Sequence, residues 1–588
     1  MVPLTLGIGC LFACGGGSAS GNGASVSDAG SAEGSRSGTT GTGATTGTGG
    51  SSSGGTSGSG SGTGTTVTGG TGADAGTGGT GGAQDGGGGD GAAPPAPKCG
   101  APLPAPSSSG VVLQVDECAS RHTISDYVYG ITFFWDPTAS SAAATLQFAK
   151  DVRLPLNRLG GDATTRYNWQ VDSTNSGEDW YFMAGNGSST PTPGASNDAL
   201  VKQDKALGTT TVMTIPIIDY ITKSSATNCS YPSSEYPNQD SFNPYATLAG
   251  GAKCGNGKSG GNTITDTHVS NHDIPNSTTI QQAWVQHLVG TFGTAANGGV
   301  QIYEMDNEPT GWPGVHFDVK PTSPDCTELI QKTQAYASMI KAVDATAAVL
   351  GPGDIAPADV FACGSTTNGQ AYLAAMAAYE QSHGTRILDY YSMHYPGWAN
   401  GGGDPIANAQ QHVQTHLGWI AANYPGTKLG YDEYNWGDSS TFANALVEVD
   451  GLGLFGSAGV SLASFWGLDV TTPTATAFRM YRDYDGSGGS FGDVSIGATS
   501  SDTSKLHVYA AERASDGAVT IVVVNRTGND VASVMAVSNH TPAGSAAVFV
   551  FASSSPTALV AQPPMTIADP GNIEMTFAAN TATLIAIP

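Results

Sequence analysis

Between Tyr129 and Phe465, short apolar runs alternate with longer stretches whose apolar residues recur at helical spacing. The short runs are Gly130–Phe134, Leu156–Leu159, Thr211–Ile217, Gln301–Met305, Ala348–Leu350, Ile387–Met393, Lys428–Tyr431 and Ser461–Phe465, eight in number. Helical patterns fall between most of them, most clearly over Ser140–Lys150, Thr279–Phe292, Cys326–Asp344, Gln370–Gln381, Ala407–Asn423 and Thr441–Gly451. In Cys326–Asp344, Leu329, Ile330, Tyr336, Ile340 and Val343 return at intervals that line one helix face. Strands alternating with helices in this way predict an α/β chain built as a TIM-like (β/α)8 barrel with enlarged loops. The main enlargement, from Asp219 to Ser277, is rich in Asn, Ser, Gly and Pro and is expected on the rim of the site.

From about Gly486 the pattern changes. Lys505–Ala511, Val519–Asn525, Ala546–Phe551 and Ala582–Ile587 read as strands, with turn signals such as Ser515-Asp516-Gly517 between some of them. Gly110–Val115 reads as one more strand with no helix after it. These segments predict an additional β-sandwich domain, completed by a strand from the other end of the chain.

Composition removes the first hundred residues from the folded part. From Gly15 to about Pro97 the chain is almost wholly Gly, Ser, Thr and Ala with a few Asp. Such a stretch cannot bury enough apolar surface to offset the entropy of ordering. The reading by segment is a signal- or lipoprotein-like segment over 1–14 and a Gly/Ser/Thr-rich disordered linker over 15–97. A strand-bearing segment over 98–127, the barrel over 128–485 and the sandwich over 486–588 follow. Leu11-Phe12-Ala13-Cys14-Gly15 closes a short apolar run and makes Cys14 a candidate lipid anchor, although the basic start of an export signal is missing. An ordinary cleaved signal is the alternative. Six cysteines remain, Cys99, Cys118, Cys229, Cys254, Cys326 and Cys363. An even number on an exported chain suggests disulfides, sequential pairing being the simplest arrangement. No CxxC spacing marks a zinc site. With 22 Lys+Arg against 48 Asp+Glu, the net charge of −26 argues against nucleic acid or anionic membrane as a partner. A soluble, exported, secreted or surface-held monomer acting on a neutral polymer fits.

Chemistry enters at two strand ends. Gln301-Ile302-Tyr303-Glu304-Met305-Asp306-Asn307-Glu308-Pro309 is an apolar run stopped at a proline, which cannot donate a backbone hydrogen bond. Glu308 therefore stands at the carboxyl end of a strand, the face that carries catalysis in such barrels. Lys428-Leu429-Gly430-Tyr431-Asp432-Glu433-Tyr434-Asn435-Trp436 places Glu433 likewise. Two carboxyl groups on separate strand ends, each beside aromatics, fit hydrolysis of a glycosidic bond, with Glu308 as acid/base and Glu433 as nucleophile. Surface ion pairing is the alternative for either residue alone. Asn307 is a candidate partner for a substrate 2-hydroxyl, and Arg158 a candidate partner that keeps Glu433 ionised. His394 is a candidate to orient a carboxylate or sugar hydroxyl, and Trp466 to floor a pyranose ring. Trp135, Tyr167, Trp169, Trp312 and Trp436, with Trp180 and Trp398, are further candidates for sugar contact. Each is individually as well explained by packing.

Arg158-Leu159-Gly160-Gly161-Asp162-Ala163-Thr164-Thr165-Arg166-Tyr167-Asn168-Trp169 and Asp179-Trp180-Tyr181-Phe182 resemble the segments that mark glycoside hydrolase family 44. Met305-Asp306-Asn307-Glu308-Pro309, Asp432-Glu433-Tyr434-Asn435 and Tyr484-Asp485-Gly486-Ser487-Gly488-Gly489-Ser490-Phe491-Gly492-Asp493 resemble others, so the likeness runs from about Tyr129 to the C-terminus. The resemblance implies a TIM-like barrel with a β-sandwich and retaining, endo-acting cleavage of β-1,4-glucans, including cellulose derivatives and xyloglucan. It implies the same roles for Glu308 and Glu433, no cofactor for the chemistry, and a candidate structural calcium for which no loop shows ligand spacing. Two positions depart from the family pattern. Leu159 stands where an aromatic is expected, and Asp432 stands where a neutral residue is expected. An inward-pointing Asp432 is expected to raise the pKa of Glu433. The rival readings are a xylanase or mannanase on the same machinery, and a non-catalytic glycan-binding surface protein.

Overall fold

The computed structural model describes residues 99–132, 140–185, 187–355, 362–363, 366–396 and 403–588. The readings made for segments 1–14 and 15–97, for Cys14, and for Trp135 and Trp398 lie outside the described residues.

The N-terminal strand β1 (Val111–Asp116) precedes a closed barrel of eight parallel strands. These are β2 (Gly130–Thr132), β3 (Leu156–Leu159), β4 (Thr210–Ile215), β5 (Ile302–Met305), β6 (Ala348–Ile355), β7 (Tyr390–Pro396), β8 (Lys428–Asn435) and β9 (Leu462–Phe465). Each is followed by a helix of ten or more residues, from α1 (Ala142–Asp151) and α2 (Ala195–Leu207) through α3 (Thr278–Phe292) and α4 (Cys326–Val343). The series ends with α5 (Asn368–His383), α6 (Pro405–Asn423), α7 (Phe442–Ala458) and α8 (Pro473–Arg482). All eight expected strands are present. Helix α2 escaped the sequence reading because half of its buried face is polar: Asn197 and Asp204 are buried beside Leu200 and Val201, and Asp204 accepts hydrogen bonds from Asn157 and Thr211.

The barrel interior changes character one layer above its floor. Leu156, Val212, Ile302, Leu350, Tyr390 and Leu462 form a closed apolar cluster, one residue from each of six strands. Side chains alternate along a strand, so the same face reappears two residues later. There it carries Arg158, Thr214, Glu304, Ser392 and Ser464, all buried. The apolar floor anchors the barrel and the polar layer begins the site.

The remaining strands build a ten-stranded sheet that folds over a second core. Its order is β15 (Ser555–Ala561), β14 (Ala547–Ala552), β17 (Thr581–Ile587), β12 (Val519–Asn525), β11 (His507–Glu512), β10 (Val494–Ser500), β1, β13 (Val531–Ser538) and β16 (Ile573–Phe577). A two-residue strand, His122–Thr123, pairs with β10. Strand β10 belongs to both halves: Val494 to Ile496 pair with β11, and its later residues pair with β1. Leu113 and Val115 of β1 meet Ile521, Val523, Met535 and Ile585 in the enclosed core. Five of these ten strands were not foreseen: β10, β13, β15, β16 and His122–Thr123. β10 is mostly small and polar, and β15 is largely exposed, so neither shows the apolar alternation of a half-buried strand.

Helix α7 is the wall shared by barrel and sandwich. It is buried almost all round, and its Gly453 lies so close to Tyr509 of β11 that a Cβ there would sit 2.3 Å from the ring. Asp450 on the same helix accepts hydrogen bonds from His507, Tyr509 and Arg526 of the sandwich. Disulfides join Cys99 to Cys118, Cys229 to Cys254 and Cys326 to Cys363, the sequential pairing. No helix among the described residues is long and apolar enough to cross a membrane.

Leu113 is fully buried, and removing its isobutyl group leaves a cavity in the sandwich core. Leu113→Ala is expected to cost about 3 kcal/mol, read as a lowered midpoint in urea unfolding. An unchanged midpoint would mean that β1 is not packed as described.

Candidate active site

The polar layer is organised by one buried guanidinium. Arg158, at the end of β3, donates from Nε and Nη2 to the two oxygens of Glu304 at 2.8 and 2.6 Å. It donates from Nη1 to Glu433 at 2.6 Å and from Nη2 to Asn307 at 2.8 Å. Burial works against its charge, but Glu304 first, then Glu433 and Asp432, hold the guanidinium firmly protonated.

After β5 the chain turns through a constrained corner. Asp306 has φ 68° and Glu308 φ 45°, both left-handed and neither a glycine. Such residues cost on the order of 1–3 kcal/mol each and persist where neighbours hold them. Asp306 accepts the backbone N–H groups of Ile217, Ile218 and Asn307, which locks the end of β5 to the loop after β4. Burial pushes its pKa up to about 6, against the pull of those backbone bonds. The Glu308 N–H donates to Gly353 O, and Trp312 Nε1 donates to Asn307 O at 3.0 Å. The amide of Asn307 also accepts from Gly161 N and donates to Asp162.

Strand β8 supplies the opposite wall through a bulge. Ser392 and His394 of β7 pair with Gly430 and Glu433, while Ala463 and Phe465 of β9 pair with Tyr431 and Tyr434. On both sides β8 has one residue too many, so the consecutive Asp432 and Glu433 both reach the interior. His394 Nδ1 lies 2.9 Å from Glu308 Oε1 and 3.9 Å from Glu433 Oε2, and its Nε2 lies 3.6 Å from Asp432 Oδ2. One oxygen of Glu308 and one of Glu433 are within 4.8 Å of each other and of His394. The side chains of Glu308 and Glu433 are 27% and 18% exposed, whereas Arg158 is wholly buried, so these two carboxylates are what a ligand meets.

Burial raises Glu433 above the usual carboxylate range, opposed by His394 and Arg158 and reinforced by Glu308. His394, which burial alone would lower, is raised well above its ordinary value by Glu433, Asp432 and Glu308. Asp432 is held low by His394 and Arg158 against its own burial. It does point inward, but the rise of Glu433 comes from burial and from Glu308.

Five of the residues singled out from sequence thus form one connected network: Arg158, Asn307, Glu308, His394 and Glu433. Trp466 is half-buried at its edge, packed over Gly161, whose φ of 93° and lack of a side chain admit the ring. Trp312 is buried beneath the corner rather than open to a ligand. Tyr167 is buried against Trp284 with its hydroxyl on Asp172. Trp169 stacks on His287 and donates to Ile280 O, and Trp436 is buried with its Nε1 on Glu448. Tyr167, Trp312 and Trp436 are buried in this geometry and Trp169 is partly buried. Glu304, Asp306 and Asp162 were missed, yet Glu304 had a signal: a charge in the middle of an otherwise apolar strand.

Calcium needs six to eight oxygens. Among the described residues, each buried cluster of His, Asp and Glu instead faces a guanidinium. Arg158 lies against Glu304 and Asp432, and Arg166 against Asp273 and Asp318 beside His272. Neither cluster fits a calcium ion.

Residues 173–397 match the model of glycoside hydrolase family 44, a span that holds Glu308 and His394 and ends before Glu433. The chain is 25% identical over 523 residues to the β-mannanase/endoglucanase A of Caldicellulosiruptor saccharolyticus, covering 76% of this chain and 37% of that protein. It is 24% identical over 491 residues to endoglucanase A of Paenibacillus lautus, covering 73% of this chain and 66% of that protein. The chain thus spans little more than a third of one curated relative and about two thirds of the other. Among solved structures, a bifunctional glucanase-xylanase from a metagenome library aligns with a TM-score of 0.74 at 28% identity, over 82% of this chain and 99% of that one. A family 44 xyloglucanase from Paenibacillus polymyxa shares the fold, with a TM-score of 0.64 at 23% identity over 81% and 99% of the two chains.

Glu448, the partner of Tyr434 and Trp436, is pushed up to about 8 by burial, against those two hydrogen bonds. Its native pKa lies above the unfolded value, so the stability it contributes is full below about pH 4.3 and is lost as pH rises through about 8. Glu448→Gln is expected to flatten the fall of Tm across that window. A slope identical to that of the unaltered protein would refute this.

Proposed function

We propose that the chain is a member of glycoside hydrolase family 44, whose model matches residues 173–397, and a retaining, endo-acting hydrolase of β-1,4-glucans such as cellulose derivatives and xyloglucan. The observation that carries the mechanism is the approach of Glu308 and Glu433 within 4.8 Å. Retaining enzymes hold their carboxyl groups about 5–5.5 Å apart, too close for a water to sit between nucleophile and sugar. Like charges at that distance repel, and Glu308 is one of the groups that raise Glu433.

Arg158 donates directly to Glu433 and works against the rise that burial and Glu308 impose on it, which favours Glu433 as the nucleophile. Glu308 takes the acid/base role. In the first step Glu433 attacks the anomeric carbon while the bond to the leaving oxygen breaks, and that oxygen takes the proton of Glu308. In the second, Glu308 takes a proton from water, the water oxygen bonds to the anomeric carbon, and Glu433 leaves. Asn307, pinned by Arg158 and Gly161, has an amide hydrogen free for a hydroxyl beside the reacting carbon. Trp466 offers the ring that would floor a sugar. Of the other aromatics, Trp135 retains its candidacy from sequence.

The relatives' names favour a second reading, a xylanase or mannanase on the same machinery. One relative is a β-mannanase/endoglucanase and one structural neighbour a glucanase-xylanase. Three disulfides fit export to an oxidising compartment. Lipid attachment at Cys14, secretion or surface display, and action as a monomer complete the proposal. No step uses a metal.

The test is reducing-sugar release from carboxymethyl cellulose, xyloglucan, xylan and glucomannan, with the first-formed anomer read by proton NMR. Glucan cleavage with retained β configuration is expected, and Glu308→Gln and Glu433→Gln should each lose on the order of 10³-fold in rate. Inverted product, or either variant at full rate, would sink the mechanism. No release from any polymer would sink the enzyme.

A further inference from the structure

We propose that Asp432 is a positioning residue that keeps His394 as an imidazolium, with the Nδ1–H of that ring fixed on Glu308. The extra residue in β8 brings the Asp432 carboxylate inside, where it is fully buried. Neither of its oxygens has a hydrogen-bond partner. Its nearest cationic groups are His394 Nε2 at 3.6 Å and Arg158 Nε at 3.9 Å. A buried carboxylate left unpartnered is costly, and the groups close enough to answer it are the imidazole edge of His394 and the carboxyl of Glu304.

The hydrogens of Arg158 decide which way the ring is protonated. Its Nη2 comes within 3.2 Å of His394 Nε2, which on distance alone suggests a neutral ring accepting a bond. Nη2 has two hydrogens, however, and they are taken by Glu304 Oε1 at 2.6 Å and Asn307 Oδ1 at 2.8 Å. No hydrogen remains for His394. The Nε2 position is therefore free to carry its own proton toward Asp432, while Nδ1–H meets Glu308 at 2.9 Å. Facing this ring are Arg158 from β3, Glu304 and Glu308 from β5 and its corner, Asp354 from β6, and Asp432 and Glu433 from β8. The carboxylates outnumber the one guanidinium, and the ring is raised well above its ordinary value in consequence.

The arrangement divides the oxygens of Glu308. Oε1 accepts from His394, which leaves Oε2 to hold the proton that goes to the leaving oxygen. A charged donor on Oε1 makes a stronger hydrogen bond than a neutral ring to the carboxylate left once the proton has gone. This role rests on the reading of Glu308 as acid/base. The charge of His394 does not.

The experiment is long-range proton–nitrogen NMR of the full chain labelled with ¹⁵N-histidine, from pH 5 to 9, with His394 identified by its loss in His394→Gln. Both ring nitrogens should stay protonated through neutral pH in the unaltered protein. In Asp432→Asn, Nε2 should lose its proton within the range, and the alkaline limb of kcat/KM on carboxymethyl cellulose should move up by roughly one pH unit. A neutral His394 at pH 7 in the unaltered protein overturns the proposal, whatever the folding of the variant. So does a variant whose ring titrates as before, or whose alkaline limb stays in place while the ring changes. An inactive protein with the expected ring titration overturns the glycosidase reading and leaves the charge of His394 established.

Discussion

The site depends on a positive charge in a place where a charge should not be. Arg158 sits at zero exposure above an apolar floor, and its desolvation is met by bonds to Glu304, Glu433 and Asn307. Breaking such a buried arrangement from one side typically costs about 3–5 kcal/mol, because the remaining partners are left as uncompensated charges. The same bonds that make the guanidinium tolerable set where Glu433 points and which face Asn307 presents. Burial and orientation are one constraint.

Two backbone irregularities turn that constraint into a site. An ideal strand sends neighbouring residues to opposite faces, so Asp432 and Glu433 could not both look inward without the extra residue in β8. An ideal strand end would likewise not swing Glu308 toward β8. The left-handed Asp306 and Glu308 do that, and the carboxylate of Asp306 fastens the strained turn to the loop after β4. Regular elements carry the barrel, and its exceptions carry the chemistry.

This division also explains what could be read in advance. The eight strands and most helices follow from apolar periodicity, and Glu308 and Glu433 follow from where such runs stop. Periodicity carries no record of a bulge, so the inward turn of Asp432 was conditional until the register of β7, β8 and β9 was seen. Glu304 was passed over because a strand that reads as buried invites its charges to be ignored. Aromatic content near strand ends does not separate a ring that faces a ligand from one that is buried, as Trp312, Tyr167 and Trp436 are. The sandwich strands rich in Ser, Ala and Gly have no alternation to detect, and they appear only once their partners are in place.

Helix α7 has a consequence for how this molecule can change over time. It supplies Glu448 to the strand that bears Glu433, and Asp450 to His507, Tyr509 and Arg526. Its glycines let both bodies close in on the same few turns. A substitution on that helix is therefore answerable to two cores at once. The β-rich part is not an appendage that recombination could trade for another module, and the two halves are bound to drift together, each alteration on one flank restricting what the other can accept.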